Sequence, residues 1–256
     1  MRRSILILLM TLWMLPGSSV LGQKSRVQEV LERALDAQGG RERIEKIRDV
    51  FVKIGYRTFG KADVDGELHE YWRHPDQIRV EWLEMEEPSL VRVYDGKRGR
   101  FCRIRGGTTP GPVRPVEGED LLQLLDFMRR LKIAMVRTLL TEGEAKLLRT
   151  PPGVQGMHFV KWSDNDDETL IFRIDDGEYR IRGVEIRKKS GERFTVDFER
   201  FQPFDGVTLP TKAVVYRRVS RKEPPEKVLR AQILDVRFDL PIEEEHYRNP
   251  ARPIGS

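Results

Sequence analysis

Short runs in which apolar and polar side chains alternate, repeated between residues 50 and 238, restrict this chain more than any other feature. Val50, Val52, Ile54 and Tyr56 alternate with Phe51, Lys53 and Arg57. A period of two with one apolar side marks a half-buried strand. Comparable runs cover Leu68–Arg73, Ile78–Leu83, Leu90–Tyr94 and Phe101–Arg105. A second series covers Ala145–Arg149, Gly156–Trp162, Glu168–Ile174, Tyr179–Lys188, Glu192–Phe201, Val207–Arg218 and Leu229–Phe238. Turn-forming residues separate them: His74-Pro75-Asp76-Gln77, Asp95-Gly96, Asp176-Gly177, Ser190-Gly191 and Asp205-Gly206. Glycine in such pairs accepts the positive φ that tight turns require. The connections leave no room for repeated parallel crossovers, which need a dozen or more residues each. Eleven or twelve strands so spaced predict an antiparallel sheet curled towards a barrel.

Two helical regions interrupt the strands. Val27, Val30, Leu31, Ala34 and Leu35 recur at helical spacing, and Gly39-Gly40 ends that helix. Arg41 to Ile47 follows as a short second helix. Between the two strand series lies a Gly/Pro-rich loop, residues 106–118, and then a helix from about Glu119 to Leu140. Leu121, Leu124, Leu125, Met128, Leu131 and Met135 share a face of it. Such a helix either packs into the core or covers an apolar cavity. No linker divides the chain, so residues 23–256 are expected to form one domain, α+β in class and mainly antiparallel β.

The first 22 residues have the form of an export signal. Met1-Arg2-Arg3 is positive, Ile5 to Leu15 carries no charge, and Pro16-Gly17-Ser18-Ser19 precedes Val20-Leu21-Gly22, with cleavage expected before Gln23. The uncharged run is about half the roughly 20 residues a spanning helix needs. Removing Arg2 and Arg3 with this segment leaves 44 basic against 41 acidic residues. A nucleic-acid binder carries a more one-sided field. Cys102 is the single cysteine, so no internal disulfide is available. It stands in a strand-like run, as a buried structural thiol would.

Signals for chemistry are sparse. His69 and His74 stand five apart with no further ligands beside them, and a metal site needs converging ligands. In Asp164-Asn165-Asp166-Asp167-Glu168-Thr169, threonine stands where a calcium loop wants glycine, so a solvated turn is expected. The basic run from Lys97 through Arg105 reads chiefly as a charged edge that protects a sheet from aggregation. An anionic headgroup contact is the other reading of it. No phosphate loop or nucleophile elbow is present. These absences remove the positive case for an enzyme without excluding scattered catalytic residues, and no metal or cofactor is expected. The aromatic stock is large: Trp72, Trp82, Trp162, Phe159, Phe172, Phe194, Phe198, Phe201 and Phe204 lie in or beside strands. A closed barrel would fill itself with such side chains. A half-closed sheet would leave an apolar trough.

Three stretches resemble the periplasmic outer-membrane lipoprotein carrier and sorting proteins of the LolA/LolB type. They are Ala34-Leu35-Asp36-Ala37-Gln38-Gly39-Gly40 leading into the Val50 to Tyr56 strand, Tyr71 to Glu81 as strand, proline turn and strand, and Phe204-Asp205-Gly206-Val207-Thr208-Leu209-Pro210 followed by the Thr211 to Arg218 strand. The order of signal, helix, meander, inserted helix and second meander also matches over most of residues 23–256. The resemblance implies a half-open β-barrel of about 11 strands with helices covering its concave face. It also implies a periplasmic, non-enzymatic carrier of lipoprotein acyl chains or another hydrophobic ligand. On that reading Val52, Ile54, Tyr56, Trp72, Val80, Trp82 and Phe172 line the trough, faced by Leu121, Leu125 and Met128. The expected partners are lipid or lipoprotein acyl chains and envelope membrane proteins, with no nucleic acid, and the expected state is a monomer. The chain is longer than the compact carrier domain, and its strands are richer in Arg and Lys. A second reading keeps the fold but fills its interior, giving an envelope protein-interaction or stress-sensing module.

Overall fold

A computed structural model describes residues 18–60, 63–118, 120–121, 139, 143–163, 168–220 and 223–254. Most of the signal segment lies outside the described residues, as does most of the 119–140 helix with Leu125 and Met128, and Asp164 to Asp167. The chain opens with α1 (Ser18–Gln38) and α2 (Arg41–Lys46). The first meander holds β1 (Asp49–Thr58), β2 (Val64–Arg73), β3 (Gln77–Glu84), β4 (Glu87–Asp95), β5 (Gly99–Arg105), β6 (Thr109–Pro110) and β7 (Arg114–Val116). The second holds β8 (Glu144–Leu148), β9 (Met157–Ser163), β10 (Glu168–Asp175), β11 (Ile181–Lys188), β12 (Arg193–Phe204), β13 (Val207–Arg218) and β14 (Glu226–Phe238). A short helix, α3 (Glu245–Arg248), lies in the C-terminal segment.

All strands belong to one antiparallel sheet. Its order is β6-β5-β4-β3-β2-β1-β14-β13-β12-β11-β10-β9-β8, with β7 paired to β5. The two ends of that order do not pair, so the sheet is open among the described residues. Each meander is built from sequential hairpins. Among the described residues the one long-range strand pairing is β1 against β14, which sets Val52 opposite Val236 and Tyr56 opposite Ala231. Among the described residues fourteen strands stand where eleven or twelve were expected. The additions are β6 and β7, two and three residues long, inside the Gly/Pro-rich loop. Pro110 and Pro115 lack backbone N–H donors and hide such short pairings from an alternation test.

Two clusters fill parts of the inner face. In the first, Val27, Val30, Leu31, Ala34 and Leu35 of α1 cover Val160, Trp162, Leu170, Phe172, Ile174 and Val184. In the second, Ile47, Val50, Val52, Leu68, Trp72, Ile78, Val80, Val207, Leu209 and Val236 pack together. Of the stretches that carry the resemblance, residues 71–81 and 204–210 supply Trp72, Ile78, Val80, Val207 and Leu209 to this second cluster, while Ala34 and Leu35 belong to the first. Gly39 ends α1 with its N–H on the Asp36 carbonyl, and Gly40 with its N–H on the Leu35 carbonyl. Gly39 has φ +126, and a Cβ there would stand 2.2 Å from the Gly206 carbonyl oxygen. Asp205 and Gly206 form the two-residue β12–β13 turn with φ of 43 and 79, as tight hairpin turns require. Arg43 of α2 ties that turn down through Asp205 at 2.6 Å and reaches Asp239 at 3.2 Å.

The outer face of β1–β4 is closed by the C-terminal segment. Phe51 and Tyr71 pack with Ile242 and Tyr247. Arg73 pairs with Asp49 at 2.6 Å and stacks on Tyr247. Arg79, 1% exposed, pairs with Glu81 at 2.7 Å and donates to the carbonyls of His246 and Asn249. His69 lies on this face between Phe51 and Tyr71. Cys102 is fully buried in β5, as its alternating surroundings suggest.

Candidate functional site

The inner-facing row of β1 runs Val50, Val52, Ile54, Tyr56, Thr58. Its first two members belong to the filled second cluster. From Val52 onward the row borders a cavity of about 440 Å³. The lining follows the sheet without a break from β3 to β11. Trp82, Leu68 and Glu70 form one side, and Ile233, Ala231 and Leu229 of β14 lie on the other side of β1. Ala213 and Val215 of β13, Val196 and Phe198 of β12, and Val184 and Ile186 of β11 continue it. Backbone register places Ala231 between Tyr56 and Ala213. Two alanines side by side leave depth that larger side chains would fill.

The lining is the unfinished rim of the two clusters. Ile54, Tyr56, Trp82 and Ile233 are half-buried against the second cluster, and Ile186, Val196 and Phe198 against the first. Polar groups are few: Glu70, Lys212, Thr58 and the Tyr56 phenol. Glu70 is buried at 5% exposure, and burial pushes the Tyr56 phenol above its ordinary range, so it stays neutral. Arg92 covers the Trp82 ring at 5.1 Å and pairs with Asp120 at 2.8 Å. Among the described residues no group of three or more His, Cys, Asp or Glu side chains is placed to hold a metal ion. No helix among them is long and apolar enough to cross a membrane.

The ten residues singled out from sequence divide by position. Val52, Ile54, Tyr56 and Trp82 line the cavity. Trp72 and Val80 face the same way but are fully buried in the second cluster. Phe172 is fully buried under α1. Leu121 approaches Gly99, which pairs with Val116 at the β5–β7 edge, and Leu125 and Met128 lie outside the described residues. The second wall, from β11 to β14, was not singled out. Its signal stands in the alternation of Leu229, Ala231 and Ile233 with Arg230, Gln232 and Leu234. What that pattern lacks is any hint that β14 lies beside β1.

No family model matches the chain, and no curated protein matches it in sequence. Solved structures do. A LolA superfamily protein from Nitrosomonas europaea aligns with TM-score 0.58 at 15% identity, covering 84% of this chain and 94% of its own. A DUF1329 family protein from Desulfovibrio piger aligns with TM-score 0.55 at 10% identity, covering 86% and 96%. A Vibrio parahaemolyticus domain named for outer membrane lipoprotein sorting aligns with TM-score 0.54 at 11% identity, covering 86% and 97%. At these identities the likeness is one of fold: an open antiparallel sheet of the LolA type.

Proposed function

We propose that this protein is a periplasmic carrier that shelters the acyl chain of a lipid or lipoprotein in the inner-face trough and performs no covalent chemistry on it. The observation that carries this reading is the apolar cavity of about 440 Å³ left between two filled clusters. Its size falls within the roughly 300–1,000 Å³ of small-molecule sites. Burying a chain yields about 0.8 kcal/mol per methylene, so ten methylenes give about 8 kcal/mol before association costs. The fold shared with a LolA superfamily protein and with a domain named for lipoprotein sorting supports the reading. The export signal read in residues 1–22 supports a periplasmic site of action. The alternative module with a filled interior fits less well, because the trough stands open among the described residues.

Native mass spectrometry of the protein purified gently from an envelope extract tests the proposal. Adducts with lipid masses, removed by organic extraction, are expected. A protein that emerges free of lipid and takes up no fluorescent fatty acid contradicts it.

A further inference from the structure

The basic edge remains unused by the trough. Register shows where it points. Across the sheet, Ile233, Ile54, Leu68, Trp82, Leu90 and Arg103 stand side by side in one row. The next row runs Val52, Glu70, Val80, Arg92, Phe101 and Arg114. Both rows begin on apolar inner-face positions and end on an arginine at the β5–β7 edge. Arg105, two residues beyond Arg103, shares its face. At about 4.8 Å per strand, Arg103 lies about 10 Å from Trp82, a lining residue of the trough.

Arg103, Arg105 and Arg114 are exposed. Among the described residues none of the three makes an ion pair. Many arginines of the second meander are matched to carboxylates: Arg182 to Asp175, Arg187 and Arg193 to Glu185, and Arg217, on the far side of the trough, to Glu192 at 2.6 Å. Protection of an edge does not require this arrangement, since the opposite edge, β8, carries the neutralised pair Glu144–Lys146. Unpaired like charges beside an apolar trough repel one another until an anion neutralises them. Guanidinium groups suit carboxylate or phosphate oxygens, which they hold with two parallel hydrogen bonds.

We propose that the ligand of the trough is an amphiphile with an anionic head, a carboxylate or a phosphate, held by Arg103, Arg105 and Arg114 while its chain lies against Trp82, Ile54 and Ile233. This inference rests on the carrier reading and adds the head group to it.

The test titrates the protein with dispersed single-chain lipids below their micelle concentrations. Lauroyl lysophosphatidylglycerol, lauroyl lysophosphatidylcholine and laurate share one chain and differ in head, and tryptophan fluorescence reports occupancy beside Trp82. The expected result is at least about tenfold tighter binding of an anionic lipid than of the zwitterionic one, as charge-assisted contacts provide. The preference should narrow with salt. In Arg103→Gln/Arg105→Gln/Arg114→Gln it should vanish while lysophosphatidylcholine binding persists. Whether lysophosphatidylglycerol or laurate loses more affinity in that variant assigns the head as phosphate or carboxylate. Equal affinities in the unmodified protein, or a preference that survives the triple substitution, overturn the inference and leave the trough intact. A preference seen only on anionic vesicles also overturns it, assigning the arginines to a membrane surface. Failure to bind any of the three lipids removes the carrier reading itself.

Discussion

The two ends of β1 carry the same sequence signal and have different fates. Val50 faces inward and is fully buried among Trp72, Ile78, Val80, Val207 and Leu209, and Val52, also buried, stands where that packing meets the cavity. Ile54 and Tyr56 face inward with the same alternation, yet border open space. The difference comes from what stands opposite. The first end is met by Ile47 and by the β12–β13 hairpin, drawn in by Arg43 and by the contact of Gly39 with Gly206. The second end is flanked by Ala231 and, beyond it, Ala213. Alternation thus tells which side of a strand is apolar, while small residues on non-local neighbours decide whether that side is filled.

Truncation should separate the two ends most strongly. Trp72→Ala is expected to lower the unfolding free energy in urea by about 3–5 kcal/mol, as large-to-small changes in packed cores do. Ile54→Ala, beside space already open, should cost no more than about 1–2 kcal/mol. Equal costs would erase the distinction between floor and trough. Gly39→Ala addresses the closure above the floor. Its Cβ would collide with the Gly206 carbonyl oxygen, and its backbone has positive φ, so a loss of about 2–3 kcal/mol is expected. Gly40→Ala has positive φ but no atom within 4 Å and should cost about 1 kcal/mol. A smaller loss for Gly39→Ala than for Gly40→Ala would show that the contact does not hold the hairpin.

The smallest effect concerns the outer layer behind the floor. Burial lowers the His69 pKa, with Glu81 and Glu67 partly offsetting it, and burial together with Arg79 and Arg252 lowers that of His246. A histidine depressed on folding binds its proton first in the unfolded chain. Stability is therefore unaffected by these groups well above pH about 6.5 and falls as pH drops below that value. His69→Gln should flatten this slope between pH 7 and 5 in urea titrations, and an unchanged slope would exclude His69 as its source.

Much of the fold was legible because hairpins are local. Asp205-Gly206 and the alternation on either side of it carry the β12–β13 hairpin in adjacent residues. The pairing of β1 with β14 joins positions almost two hundred residues apart, and nothing in either strand names the other. That pairing builds half the trough, so Ile233, Ala231 and Leu229 stayed unrecognised while Ile54, Tyr56 and Trp82 did not. The resemblance did not separate core from cavity either. Its stretches supply buried residues to both clusters, Ala34 and Leu35 to one and Trp72, Val80 and Leu209 to the other, while the strands they lead into bring Ile54, Tyr56, Ala213 and Val215 to the cavity. Phe172 shows the same limit: inward-facing, but under α1.

Plugging the trough tests the central claim most directly. Ala231→Trp places an indole where two alanines now leave room. Uptake of a fluorescent fatty acid by this variant and by the unmodified protein should be measured together with urea unfolding. The account predicts uptake reduced at least tenfold, with stability changed by no more than about 1–2 kcal/mol. Uptake that persists unchanged in a folded Ala231→Trp protein would contradict it.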